Sequence, residues 1–270
     1  MTIPSSSNFS VGFRHIDLFA LNDNDTPVGS SDSSGLPYEG IHYESARGLN
    51  VTFPKPRQII QSGDDGVEAL QVLPPNSEAL TAELTVGLAN FDAIAAVAGV
   101  KLITRGTSKF LSMATDQQGF EPYFGLLAFN QGSGRPGGAE SWNWYMMPYT
   151  RVIATMPPFS DKAENITMHL APQITNQMLW GEAMTALING ALTQQAVWGV
   201  SVGRPHIAAW SADTSQTLFT FNPTYPAYDA SSVVTYVNGV LSATASATTT
   251  DVTIYPAPGP NAQVLAFYEY

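Results

Sequence analysis

Residues 80–88 constrain the fold of this chain more than any other stretch. Leu80, Ala82, Leu84, Val86 and Leu88 fall on one face of an extended backbone, with Thr81, Glu83, Thr85 and Gly87 on the other. Side chains alternate across a strand with a period of two, so this pattern marks a half-buried β-strand. Shorter alternations recur at residues 151–156 and 165–170. Turn-forming residues punctuate the whole chain, with 22 Gly and 19 Pro in 270 residues. The expected fold is mainly β: a β-sandwich or partial barrel with one or two short flanking helices.

Further strands are expected at residues 11–21, 48–53, 58–61, 141–147, 198–201 and 206–210. Pro54 and Pro56 suit an edge or a bulge, because proline has no N–H for a central ladder. Residues 22–37 and 132–138 read as loops, and 62–66 as a turn. Asn90 is placed to cap a short helix through Ala98, with Asp92 near its positive end and Gly99 ending it. A second helix is expected over 176–191, with Gly190 inside or at its end.

The chain divides into a body, residues 1–215, and a small C-terminal β-module, residues 216–270. No Lys or Arg follows Arg204. In the module, strands at 232–237, 251–255 and 264–270 surround the hairpin dipeptide Asn238-Gly239, a small-residue run at 240–250 and a rigid turn at 256–260. A unit of this size is marginal alone, so it is expected to lean on the body or on a neighbour.

Charge narrows the function. Acidic residues number 22 and basic residues 11, a net charge of −11. A protein that grips nucleic acid needs clustered Lys and Arg to neutralise phosphates, and this one has the opposite balance. A surface that DNA passes without sticking remains compatible. Charged residues make up 12%, about half the usual share. Either a Ser/Thr/Asn-rich surface or self-association accounts for that. The absence of cysteine excludes disulfides, thiol nucleophiles and Cys-ligated zinc.

The first ten residues are polar, so no signal peptide is expected. The triplets at Asn8, Asn50 and Asn165 are then chance matches to a glycosylation site. The longest apolar stretch, residues 93–100, is far shorter than the roughly 20 residues that span a bilayer, so no membrane insertion is expected.

The residues that carry chemistry elsewhere form no recognisable site. His15, His42, His169 and His206 have no metal-ligand spacing. Gly132-Ser133-Gly134-Arg135-Pro136-Gly137 matches the letters of a dinucleotide loop, but Pro136 and the aromatic strand beyond it spoil the required strand-to-helix context. Asp64, Asp65 and Glu68 read as a solvated turn. Asp23, Asp25 and Asp32 with Ser30 and Ser31 are oxygen-rich without fixed ligand positions. No catalytic, cofactor or metal residue is expected. Trp142 and Trp144 share one face of a strand, as core or interface anchors or as a platform for sugar rings. Trp180, Trp198 and Trp210 read as core. Leu84, Val86 and Leu88, with Trp142 and Trp144, are the residues expected to carry core and assembly contacts.

The opening Gly12-Phe13-Arg14-His15-Ile16-Asp17-Leu18-Phe19 and the strand-then-helix run 82–100 resemble the major tail tube proteins of tailed bacteriophages. Tyr236-Val237-Asn238-Gly239-Val240, Ala257-Pro258-Gly259-Pro260 and Tyr268-Glu269 are similar to small β-modules on phage tail and fibre proteins. The resemblance implies a structural, non-enzymatic virion protein without cofactors, assembled in the host cytoplasm. Its subunits would form stacked hexameric rings and complete a β-barrel tube, a conduit for viral DNA. Its partners would be copies of itself, other tail or virion proteins, and DNA in passage. Residues 22–37 and 132–138 would be candidates for ring-to-ring contacts. The alternatives are another self-assembling virion protein, such as a capsid decoration or filament subunit, and a carbohydrate-binding β-sandwich.

Overall fold

The structure, a computed structural model, describes residues 9–10, 15–23, 26–30, 35–43, 46–52, 57–62, 68–73, 81–86, 101–112, 123–133, 141–154, 166–173, 187–188, 191–192 and 197–270. The chain begins with β1 (Phe9–Ser10), β2 (His15–Ala20), β3 (Ile41–Tyr43) and β4 (Ala46–Thr52). A hairpin of β5 (Arg57–Ser62) and β6 (Glu68–Leu73) precedes β7 (Thr81–Val86), and a second, β8 (Lys101–Arg105) with β9 (Ser108–Ser112), follows it. Next come β10 (Phe124–Ser133), β11 (Ser141–Ala154), β12 (Ile166–Pro172), β13 (Leu187–Ile188), β14 (Ala191–Leu192) and β15 (Val197–Ser201). The last part holds β16 (Pro205–Ser211), β17 (Leu218–Thr220), a 3₁₀ turn at Ala230–Ser232, β18 (Val234–Val237), β19 (Val240–Leu241), β20 (Ala245–Ala247), β21 (Asp251–Ile254) and β22 (Gln263–Glu269).

The fold is mainly β, as the alternation requires, and the described residues contain no α-helix. The expected helix at 90–98 lies outside the described residues, as does most of the one at 176–191. The end of that second helix is instead an antiparallel pair, with Leu187 opposite Leu192 and Ile188 opposite Ala191. The two residues between the paired ones are Asn189-Gly190, the strongest short-range sequence signal for a two-residue hairpin.

The large sheet runs β3-β2-β10-β11-β12-β7-β4, with β1 joining β10 and β15 joining β11. Its two outermost strands, β3 and β4, are neighbours in sequence, separated only by residues 44 and 45. Three residue steps reach at most about 11 Å. The sheet must therefore curl until its edges approach at one end. It stops short of closure, since β3 and β4 do not pair.

Inside the curl lies an apolar core that includes Ile16, Leu18, Leu84, Val86, Phe124, Leu126, Met147 and Leu170. β7 feeds it as its pattern demands: Ala82, Leu84 and Val86 are buried while Thr81 and Glu83 are exposed. Leu80 and Leu88 lie outside the described residues. The fourteen-residue β11 is long enough to serve two partners on one side. Trp142–Met146 pairs with β15, and Thr150–Ala154 with β12.

The convex face of the sheet is covered from within the chain. Phe19, Leu127, Phe129, Trp144 and Met146 pack against Ile207, Ala209, Tyr236 and Leu265. These last four belong to a four-stranded sheet, β16-β22-β18-β19. Its far side packs on a three-stranded sheet, β17-β21-β20, around Trp210, Phe219, Phe221, Val252, Ile254 and Tyr268. Three layers result, with two cores sharing the middle sheet.

β16 reads from the sequence as a strand of the body, but it pairs with β22 along its whole length. Both of its faces are buried. A strand covered on both sides loses its period-two signature, so its letters do not say which sheet it joins. Trp210 is in the core as expected. Trp198 is not: it is 64% exposed on β15, with its ring stacked on Tyr145 at 6.2 Å. Gly199 faces the covered side of the sheet, so alternation puts Trp198 on the opposite face, beside Tyr145.

Candidate functional site

The polar groups of the chain converge where the body meets the C-terminal sheets. β2 and β3 place Asp17 and His42 opposite each other, and His42 Nδ1 lies 2.5 Å from Asp17 Oδ1. With Nδ1 carrying its hydrogen toward the buried carboxylate, the Arg204 guanidinium 3.3 Å from that nitrogen is a neighbouring charge rather than a second donor. Arg204 lies over the Phe129 ring at 4.3 Å and the Tyr270 ring at 5.0 Å, a cation between two aromatic faces. The His15 ring stacks on His42, with centroids 5.2 Å apart.

Glu39 forms the second half of the joint. It accepts from His206 Nε2 at 3.0 Å and from Asn222 Nδ2 at 2.8 Å. The rings of Tyr225, Tyr268 and Tyr270 surround His206 at 5.1 to 5.5 Å. Tyr268 donates its hydroxyl to the Tyr225 carbonyl at 3.0 Å. Burial holds the Tyr268 phenol far above its ordinary range, with the Glu39 charge adding to the effect. Burial likewise pushes Tyr270 up to about 12, against the opposing pull of Arg204.

This arrangement sets a docking register. Glu39 is part-buried, so losing its partners costs some fraction of the about 3–5 kcal/mol of a fully buried charge. Glu39 therefore favours the one placement of the C-terminal sheets that brings His206 and Asn222 to it. Among the described residues no group of three or more His, Asp or Glu converges as metal ligands. Sequence reasoning treated the histidines one by one and did not single out Glu39, Arg204 or Asn222. These partners lie more than 160 residues apart, a separation at which no spacing rule operates.

The residues singled out from the sequence separate. Leu84 and Val86 are in the inner core. Trp144 lies on the opposite face, 9% exposed, its ring pressed on Gly199 and 5.5 Å from the Phe267 ring. A Cβ at Gly199 would lie 2.1 Å from that indole, so only glycine leaves room for it. Trp142 is half-buried beside it, in edge contact with Phe129 at 6.0 Å. The pair does not offer two free ring faces to a sugar.

Two other features stand apart from this joint. The hairpins β5–β6 and β8–β9 each pair internally and with no other described strand. Phe110, on β9, is exposed, as are Trp198, Val200 and Val202 along the β15 side of the large sheet. Compared with known proteins, the chain matches no family model, no curated protein and no solved structure.

Proposed function

We propose that this chain is a structural subunit that assembles with copies of itself, in the manner of the phage tail tube proteins it resembles, into stacked rings around a channel for viral DNA. One observation carries the reading: the hairpins β5–β6, β8–β9 and β13–β14 pair with no third strand among the described residues. An isolated two-stranded hairpin is marginal in water, and an unpaired edge invites another strand. A neighbouring copy supplies one at every subunit, and closure into a ring removes the remaining edges.

The exposed apolar residues of β15 and the low charge count add to this reading, since obligate interfaces bury on the order of 2,000 Å² or more and are depleted in charge. The excess of carboxylates suits a channel that repels phosphate. Hexameric rings, residence in the virion and the absence of catalysis follow from the same resemblance.

Negative-stain electron microscopy of the purified chain across a concentration series tests the reading. Tubes, rings or stacked discs are expected. A folded subunit that stays single at high concentration, in the presence of seeds and under every salt condition tried, overturns it.

A further inference from the structure

We infer that residues 26–30 and 35–40 act as an edge guard, two limbs of a strap that keep β16 from pairing with the β16 of a second copy. This inference is independent of the tube reading. It concerns the opposite end of the problem, namely which edge must not be used.

The middle sheet has two outer strands, β16 and β19. β19 is only two residues long, too short to template a neighbour. β16 is seven residues long, and Pro205-His206-Ile207-Ala208-Ala209-Trp210-Ser211 carries no Lys, Arg, Asp or Glu. A long edge without charge is the kind that pairs with other chains, and proteins manage it with charges, bulges or a covering segment. Here the cover is a loop from the body.

Both limbs of the loop bond the same few residues of β16. Ser30 N and Tyr38 N each donate to the Ala209 carbonyl, at 3.2 and 2.8 Å. Ala209 N donates to the Tyr38 carbonyl at 2.9 Å, and Ser211 N to the Ser30 carbonyl at 3.0 Å. Successive strand residues direct their backbone groups to alternate sides. Ala209 and Ser211 are thus the outward-facing groups that a second strand would need.

Two side features hold the strap down. Glu39 at its end is pinned by His206 and Asn222. Gly29 lies so close that a Cβ there would sit 2.4 Å from the Trp210 carbonyl carbon. Within residues 22–37, read from sequence as a candidate for ring-to-ring contact, Ser30 thus bonds β16 of its own chain.

The chain has no cysteine, so a single introduced thiol reports on this edge alone. Ser211→Cys is combined with the intact strap, with Gly29→Ala, and with Gly29→Val plus Ser30→Pro. Each is subjected to mild oxidation across a concentration series, with circular dichroism to confirm folding. Gly29→Ala is the smaller change: its Cβ presses on the backbone of Trp210 and Ser211 and replaces no core side chain.

With the strap intact, disulfide-linked dimer through Cys at 211 stays at background. Weakening the strap raises its opening equilibrium by about tenfold or more. Linked dimer then rises by a similar factor and grows with concentration. Should the double variant fail to fold, Gly29→Ala alone carries the test. Folded strap variants that cross-link no more than the parent overturn the proposal, as does a parent that already links through this position. Tube formation is scored separately by microscopy, so failure of either idea leaves the other standing.

Discussion

Removing the cation from between Phe129 and Tyr270 tests whether the joint is held by more than apolar area. Phe129 is 1% exposed in the core between the two sheets, and Arg204 lies 4.3 Å over its ring. Truncation to Phe129→Ala mixes two losses. Deleting a buried phenyl costs about 3–5 kcal/mol through transfer and cavity terms, and a desolvated cation–π contact adds about 1–2 kcal/mol. A double-mutant cycle separates them. Phe129→Leu keeps an apolar side chain but removes the π face, and Arg204→Met keeps a long apolar stem without the charge. Each single change is expected to cost about 1–2 kcal/mol, and the pair less than the sum, with a coupling of about 1 kcal/mol.

Urea unfolding, followed by tryptophan fluorescence and by far-ultraviolet circular dichroism, measures all four proteins. Because the two cores share the middle sheet, both probes are expected to report one transition for the described layers. A coupling within about 0.3 kcal/mol of zero, the scatter of independent sites, refutes the assignment of Arg204 as a cation held by ring faces.

Four further expectations concern the layers and the groups at the joint. Deleting residues 218–270 strips the cover from Phe19, Leu127 and Phe129; the truncated body is expected to aggregate, and a soluble product with a cooperative melt would show that the shared core is wrongly drawn. Leu84→Asp places an unpaired charge in the inner core and is expected to abolish folding, so a soluble variant with native circular dichroism would contradict the inward face of β7. Gly199→Val drives a side chain into the Trp144 indole; a loss of about 1–3 kcal/mol is expected, read as a lower melting temperature and altered near-ultraviolet dichroism, and an unchanged spectrum would show the contact to be absent. Tyr270 has a folded value of about 12 against the ordinary 10.0, so the native state holds the proton longer than the unfolded one. Stability is then level below pH 10 and falls as pH rises from 10 toward 12. Phenolate absorbance of the native protein, compared with a Tyr270→Phe variant, should lose a step near pH 12, and loss of a step near 10 would contradict the burial of this phenol.

The period-two pattern of residues 81–86 is a local property, and it determined strand, inward face and core residues before any neighbour was known. The aromatic alternation at 142–147 did the same: Trp144 and Met146 fill the convex core while Tyr145 and Met147 serve the inner one. Asn238-Gly239 determined its hairpin, with Tyr236 opposite Leu241. In each case the backbone geometry within a few residues decides the outcome, and a few residues are what a sequence displays.

Partnership is a different matter. That β16 pairs with β22, that β3 and β4 lie at the two edges of one sheet, and that Glu39 meets His206 and Asn222 are decided by long-range closure. No pattern in the letters records these distances, because residues from opposite ends of the chain become neighbours only when the layers stack. Burial on both faces erases the alternation of β16, and the exposure of Trp198 depends on what lies over the sheet rather than on tryptophan's own preference for the interior. The sequence by itself determined that the fold is mainly β and, in the alternating segments, which side is apolar. Only the tertiary structure decided which apolar sides meet, because hydrophobic burial is non-directional and the choice of partner falls to shape and to paired polar groups.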